Sequence, residues 1–378
     1  MAASSRIEVE RVGYSSSAQI RYKNIPKGIR KWIESGCKGF KSGKSAKLSM
    51  KYKLFAAWVR SGREARTFPL GVVRMGEEGP AVTALAEQCA CLHHVGGGEW
   101  VGQEDNSRIY SDEAGVVSIV ADGHGDKGMV SRSLCEFLPE ALLNSTIKAP
   151  TKRIKRSLRP VQKACEEAHL RQVEAERAQA TEEEREPYPI WGRGSCLLLS
   201  WIDGNLLRTA NVGDSEAFVY RKVEDAIIEI PLSYVATWMD QPDRKRFIKE
   251  AGREPEHKKD RPTKDGINCP RTLGDIPDRR YLSYVADVTE FALLPGDFLL
   301  QVCDGPIDFP PIGSDGKEIS FLTIVTEFWG DPKAVAHAVI EGCLRNKSLA
   351  DNLSVTAMIV TELTAPRPKF DLWAAEPS

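Results

Sequence analysis

The segment 116–125 constrains this chain more than any other. It reads Val-Val-Ser-Ile-Val-Ala and then stops abruptly in Asp122-Gly123-His124-Gly125. The apolar run predicts a buried strand. Its end delivers a carboxylate, an exposed backbone carbonyl and an imidazole to one edge of a sheet. Such a group has little structural purpose of its own. It suits a hard metal ion with a proton donor beside it.

The rest of the chain bounds what can surround that strand. The 378 residues suffice for one large domain with an extension, or for two domains. With 42% hydrophobic and 28% charged residues, the composition is that of a soluble globular protein. No apolar segment approaches the roughly 20 residues of a membrane helix, and no apolar core of a signal peptide stands at the N-terminus, so no membrane partner is expected. Nine cysteines without a regular framework predict reduced thiols in an intracellular protein, cytoplasmic or nuclear. Cys89-x-Cys91-x-His93-His94 fits no standard zinc spacing and is read as a strand with incidental Cys and His.

Charge is distributed unevenly. Residues 1–74 hold 17 Lys and Arg against 4 Glu, a local net of +13, which leaves −14 for the remainder. Aromatics such as Trp32, Tyr52 and Trp58 are interleaved with these cations, a pattern compatible with nucleic acid or an acidic partner. A solvated basic extension that packs on an acidic body is the preferred reading. The folded body is expected over 80–363, followed by a Pro-containing tail, 364–378.

Within the body, the turn signal at 111–115 leads into the strand 116–122. A helix is predicted over 130–142, and a second with Pro160 in its first turn, reaching about 184. Short strands follow at 195–202, 206–211, 217–222 and 226–230, with Asp203-Gly204 as a hairpin turn. The highly charged stretch 239–270 reads as a short helix plus a surface loop facing the substrate. Strands at 285–293 and 298–303, helices at 320–329 and 333–346, and a last strand at 353–361 complete an α+β pattern of antiparallel strands with paired helices.

Three further segments repeat the opening logic. Glu104 and Asp105 are adjacent carboxylates. The apolar strand 298–303 ends in Asp304-Gly305, with Asp308 four residues on. Asp351-Asn352 stands directly before the last strand. If these strand ends converge, the site is a carboxylate cluster, which cannot stay ionised together without a counter-charge. An oxygen-only ligand set selects Mg²⁺ or Mn²⁺. Two such ions would activate a water at neutral pH, and His124 could protonate a leaving oxygen. The reaction so implied is metal-assisted hydrolysis of a phosphate ester. Helix or turn capping would explain one of Asp122, Asp304 and Asp351, but explains all three poorly.

In order along the chain stand Asp122-Gly123-His124-Gly125, Gly194-Ser195-Cys196, Asn211-Val212-Gly213-Asp214-Ser215, Arg271-Thr272-Leu273-Gly274-Asp275, Cys303-Asp304-Gly305 with Asp308, and Asp351-Asn352. This series resembles the metal-dependent protein phosphatases, the protein phosphatase 2C family, over about 92–362. The resemblance implies a four-layer α-β-β-α sandwich, two antiparallel sheets flanked by helix pairs. It also implies hydrolysis of phosphoserine and phosphothreonine in phosphoprotein substrates with two Mn²⁺ or Mg²⁺ ions per site. By the same resemblance Asp122 bridges the ions, Gly123 lends its carbonyl, and Asp304 and Asp351 bind one ion. Glu104 and Asp105 act on the other through water, Asp308 is counted among the metal-site residues, and His124 is the general acid.

The pattern departs from the family at three positions. Trp100 stands where an Arg commonly holds the substrate phosphate, with Lys127 or Arg193 as candidate replacements. Trp191 replaces an Asp that helps bind a third ion, and Glu216 follows Asp214-Ser215 where Arg is usual. Asp214-Ser215 is read chiefly as a structural turn, and 271–275 as a loop organiser near the site. A pseudophosphatase, the same fold used as a binding module, is the alternative function.

Overall fold

Two antiparallel sheets, one of five strands and one of six, form the centre of the protein. In the computed structural model the described residues are 82–83, 89–94, 102–125, 128–179, 193–261, 267–275, 280–362 and 370–374. The basic segment 1–74, Trp100, Lys127 and Trp191 lie outside them. The strands of the main sheets are β1 Cys89–His94, β2 Asn106–Asp112, β3 Gly115–Ala121, β4 Leu197–Asp203 and β5 Leu206–Val212. They continue with β6 Glu216–Val223, β7 Ala226–Pro231, β8 Asp287–Ala292, β9 Phe298–Val302, β10 Leu353–Ile359 and β11 Phe370–Trp373. The five-stranded sheet runs β7-β6-β9-β10-β1, and the six-stranded sheet β8-β5-β4-β3-β2-β11.

β3 is buried along its whole length because each of its faces meets a different layer. Val116 and Val120 join the core between the sheets, with Leu299 of β9 and Met358 of β10. Val117, Ile119 and Ala121 point the other way, onto helices α1 Met129–Leu143 and α2 Pro150–Gln179. On the far side, Phe298, Leu300, Val302, Leu353 and Val355 pack against α5 Phe321–Glu327 and α6 Pro332–Leu344. The period-2 alternation of each strand therefore separates three cores in four layers, the predicted sandwich. Between the sheets a polar contact, Ser118 Oγ to Thr356 Oγ1 at 2.9 Å, marks where β3 crosses β10.

Two elements differ from the sequence expectation. Helix α2 starts at Pro150, ten residues before Pro160, which sits inside it. Ile154, Leu158, Val161 and Cys165 form one buried helical face across that proline. An internal Pro costs about 3 kcal/mol, whereas each buried Ile or Leu contributes about 1.5–3 kcal/mol, so the continuous face wins. The second difference is in the tail, which returns to the body: β11 pairs with β2, from Phe370 opposite Ser111 to Trp373 opposite Arg108. Asp371 holds the Arg108 guanidinium through two hydrogen bonds of 2.6 and 2.7 Å, and Trp373 covers it at 4.7 Å. Buried Arg108 thus finds its counter-charge in the tail.

Smaller elements serve the site. Gly123–His124, Gly194–Ser195 and Leu273–Gly274 form a three-stranded ribbon. Helix α3 Asp243–Ala251 precedes the last of these strands in sequence and the one-turn α4 Gly305–Asp308 follows it. The segment Cys89–His94 is a strand, and among the described residues its Cys and His belong to no three-ligand group. The described cysteines are all buried, and none of them is in a disulfide. No described helix is long and apolar enough to cross a membrane.

Candidate metal centre

Sheet register carries the predicted carboxylates to one end of the sandwich. Asn106 opposes Ala121, so Asp105 enters β2 beside the point where Asp122 leaves β3. In the other sheet Val302 opposes both Val355 and Glu216, which places Asp304 near Asp351 and near the turn that carries Asp214. Carboxylate oxygens of Asp122, Asp214 and Asp304 lie within 4.8 Å of one another. Asp214 was read from sequence chiefly as a turn residue. It is in a turn, between β5 and β6, yet its carboxylate belongs to the cluster.

The backbone around these groups is closely fitted. Asn352 Oδ1 accepts from the amides of Glu104 at 2.7 Å and Asp105 at 3.3 Å, and its own amide donates to Asp351 at 2.8 Å. Asn352 thereby pins the acidic pair of one sheet to the last strand of the other. The Gly123 amide donates to Asp105 Oδ1 at 3.2 Å. A Cβ on Gly123 would stand 2.1 Å from the Glu104 carbonyl, and one on Gly305 2.0 Å from the Asn352 carbonyl. Both approaches exclude any side chain.

The electrostatics are those of crowded, buried acids. Burial, with Asp351 and Asp304 close by, pushes the Asp105 carboxyl up to about 7. Burial and Asp304 push Asp351 up to about 7 and Asp214 to about 6. Burial and four neighbouring carboxylates raise Asp122 well above the usual range. Asp105 Oδ2 is buried without an N–H or O–H donor. The Cys303 thiol beside it is a weak donor, already directed at the Asn352 carbonyl at 3.5 Å. Buried acceptors left in this way are costly unless a cation supplies the missing interaction. Oxygen donors in a crowded, partly open pocket fit hard divalent ions, and Asp105, Asp122, Asp214, Asp304 and Asp351 are the residues able to hold them.

His124 meets a different partner. Its Nε2 lies 3.0 and 2.9 Å from the two carboxylate oxygens of Asp275. Asp275 is buried, has a positive φ of 45°, and donates its amide to the Arg193 carbonyl at 2.9 Å. Gly194 is required beneath it, since a Cβ there would stand 2.0 Å from Asp275 Oδ2. The organiser of the preceding loop is Arg271, which joins Asp243 at 2.9 Å and also pairs with Asp287.

Asp308 lies at the margin, on α4. It shares a partner with Asp304 that the sequence reading did not single out, the Lys259 ammonium. Lys259 Nζ is 2.9 Å from Asp304 Oδ2 and 3.5 Å from Asp214 Oδ2, and it contacts Asp308 Oδ2. Among the described residues of the stretch 239–270, Lys259 contacts these carboxylates and the Cys269 Sγ lies within 4.8 Å of an Asp214 oxygen. Nothing in the local sequence distinguishes Lys259 from Lys258. Asn352 and Asp275 stood within singled-out motifs, but their partners come from segments far away in the chain.

With this geometry in view, comparisons with known proteins identify the class. A profile of the Protein phosphatase 2C family matches residues 102–348, most of the chain, and the chain belongs to that family. Among solved structures, a sex-determining protein of C. elegans is 19% identical with a TM-score of 0.54, covering 85% of this chain and 75% of that one. A phosphatase from a pathogenic strain of Toxoplasma gondii is 16% identical with a TM-score of 0.54, covering 79% and 100%. The catalytic domain of the serine/threonine phosphatase PstP, in complex with two manganese ions, is 17% identical with a TM-score of 0.49, covering 75% and 100%. At these identities the likeness is one of fold. The sequence matches none of the curated proteins.

Proposed function

We propose that this chain is an active metal-dependent phosphatase that hydrolyses phosphoserine and phosphothreonine in protein substrates. The observation that carries the reading is the convergence of Asp105, Asp122, Asp214, Asp304 and Asp351 beside the His124–Asp275 pair. Family membership supports it, and Mn²⁺ or Mg²⁺ are the ions its oxygen-only donor set suits.

On this reading Asp122 and the Gly123 carbonyl would help hold the two ions, Asp304 and Asp351 would hold one of them, and Glu104 and Asp105 would act on the other through water. Asp308 stands at the margin. The chemistry such a pair supplies when held there is activation of a water for attack on phosphorus and neutralisation of phosphate charge. The chain's own residues do the rest. His124 gives a proton to the departing Ser or Thr oxygen, so that phosphomonoester and water become alcohol and inorganic phosphate. Asp275 holds and orients the imidazole through Nε2. Asn352 keeps the Glu104–Asp105 backbone in register with Asp351.

The alternative, a pseudophosphatase, draws its support from Trp100 and Trp191. A binding module would have no physical need for the whole carboxylate set together with a carboxylate-held histidine. The test is hydrolysis of a phosphothreonine peptide by the full chain with Mn²⁺, with EDTA, and as Asp304→Ala. Turnover that requires metal and Asp304 supports the enzyme. Metal binding with no turnover on several peptides would select the scaffold.

A further inference from the structure

Lys259 is presented to the carboxylates by a braced loop. On one side, the Lys258 carbonyl accepts from the Trp238 amide at 3.1 Å. On the other, Asp260 is clamped by Arg253 through hydrogen bonds of 2.6 and 3.0 Å and accepts the Glu256 amide at 2.8 Å. Arg253 also lies over the ring of Phe247, 5.0 Å from its centre, and Phe247 packs on Trp238. The backbone on both sides of Lys259 is therefore fixed, and the ammonium is aimed at Asp304, Asp308 and Asp214.

Two of these three partners, Asp214 and Asp304, are also two of the three carboxylates whose oxygens come within 4.8 Å of one another. A divalent ion bound there would sit about 2.0–2.6 Å from oxygens of the same carboxylates. That would leave it only a few ångströms from Nζ, where cation–cation repulsion in a partly buried site is severe. Ammonium and metal thus compete for the same pair of carboxylates. The cluster likewise cannot remain charged with neither.

We propose that Lys259 is a tethered counter-ion of the metal-free centre, and that metal binding must displace it from Asp214 and Asp304. The 252–261 loop is thereby coupled to metal loading. The coupling is reciprocal: whatever holds Lys259 away from the cluster raises metal affinity, and metal frees the lysine. The inference rests on the metal-dependent reading of the same site and goes beyond it in assigning the competitor.

Two measurements on the full chain test it, neither of which reads turnover. In the first, lysine acetylation by an N-hydroxysuccinimide ester is followed by peptide mass spectrometry with and without saturating Mg²⁺. Lys259 reactivity should rise several-fold with Mg²⁺, while exposed Lys163 on α2, 77% accessible, stays constant. In the second, Mn²⁺ binding is followed by electron paramagnetic resonance. Lys259→Met should bind about tenfold more tightly than wild type, and Lys259→Arg should stay near wild type. Metal that binds without changing Lys259 reactivity overturns the inference, and so does unchanged or weaker Mn²⁺ affinity in Lys259→Met. Failure of the wild type to bind Mn²⁺ at all overturns the metal reading itself and the inference with it.

Discussion

The two ends of strand β9 handle buried charge in opposite ways. Just before it, Asp297 is 2% exposed and meets the Arg221 guanidinium through hydrogen bonds of 2.8 and 2.6 Å, with a further bond from Arg221 to the Ala292 carbonyl. Asp297 also accepts the Leu294 amide. Every acceptor there is answered by the chain. Just after β9, Asp304 joins Asp105, Asp122, Asp214 and Asp351, whose carboxyls are raised by burial and by one another, with Lys259 touching only one side. The same strand thus closes one end as structure and leaves the other in need of cations. A fold that neutralises a buried charge where stability requires it, and leaves several unneutralised seven residues away, has reserved the second place for a ligand.

The contrast can be broken by substitution. Asp304→Asn should abolish phosphopeptide hydrolysis, a loss of at least about a hundredfold in kcat/KM, while changing metal-free stability little, because it relieves repulsion as it loses a partly exposed pairing with Lys259. Asp297→Asn should do the reverse. Leaving Arg221 buried without its charge should cost about 3–5 kcal/mol in urea unfolding, with activity per folded molecule retained. Equal destabilisation by the two would erase the distinction.

The next effect is of pH. Asp105, Asp351 and Asp214 have carboxyls at about 7, 7 and 6 against an ordinary 3.8. In the metal-free protein a raised carboxyl favours the protonated fold, and that contribution is present at low pH and lost as pH rises through about 6 to 7. Divalent ions compete with those protons. The rise in Tm produced by Mn²⁺ should therefore be small at pH 5.5 and larger at pH 7.5. A Mn²⁺ effect independent of pH across this window would show that these carboxylates are not the ligands.

Smaller effects concern the supports. Asp275→Asn should slow turnover of phosphothreonine peptide by about 10- to 100-fold, and slow p-nitrophenyl phosphate less, since that leaving group needs little protonation. Equal slowing of both would assign Asp275 a purely structural role. Asn352→Ala should cost about 1–3 kcal/mol and weaken Mn²⁺ binding, because two amides of the 104–105 segment lose their acceptor.

Much of this architecture was legible in the sequence. The strand ends at Asp122, Asp304 and Asp351 could be read because a buried strand writes an apolar run, and a polar residue closing that run must sit at a sheet edge. Alternation with paired helices pointed to an α+β class, and the four layers were what the family resemblance implied. What could not be read lies in contacts between segments without periodicity. Asp214 looked like a turn residue because it is one, and only the approach of β9 to β6 makes it part of the cluster. Lys259 stands in a loop whose charges look alike until Arg253 and Asp260 brace it. The start of α2 was misplaced because Pro160 is a helix-start signal by itself, and its neighbours' burial overrode it. The return of 370–374 to the sheet depended on Asp371 reaching Arg108 across 263 residues.

The most direct test is a pair of melting curves. Wild type and Asp304→Asn would be heated without metal and with Mn²⁺ at pH 7.5. If the cluster is a metal centre, Mn²⁺ raises the wild-type Tm by several degrees and leaves Asp304→Asn nearly unmoved. Equal shifts in both proteins, or none in the wild type, would contradict the account.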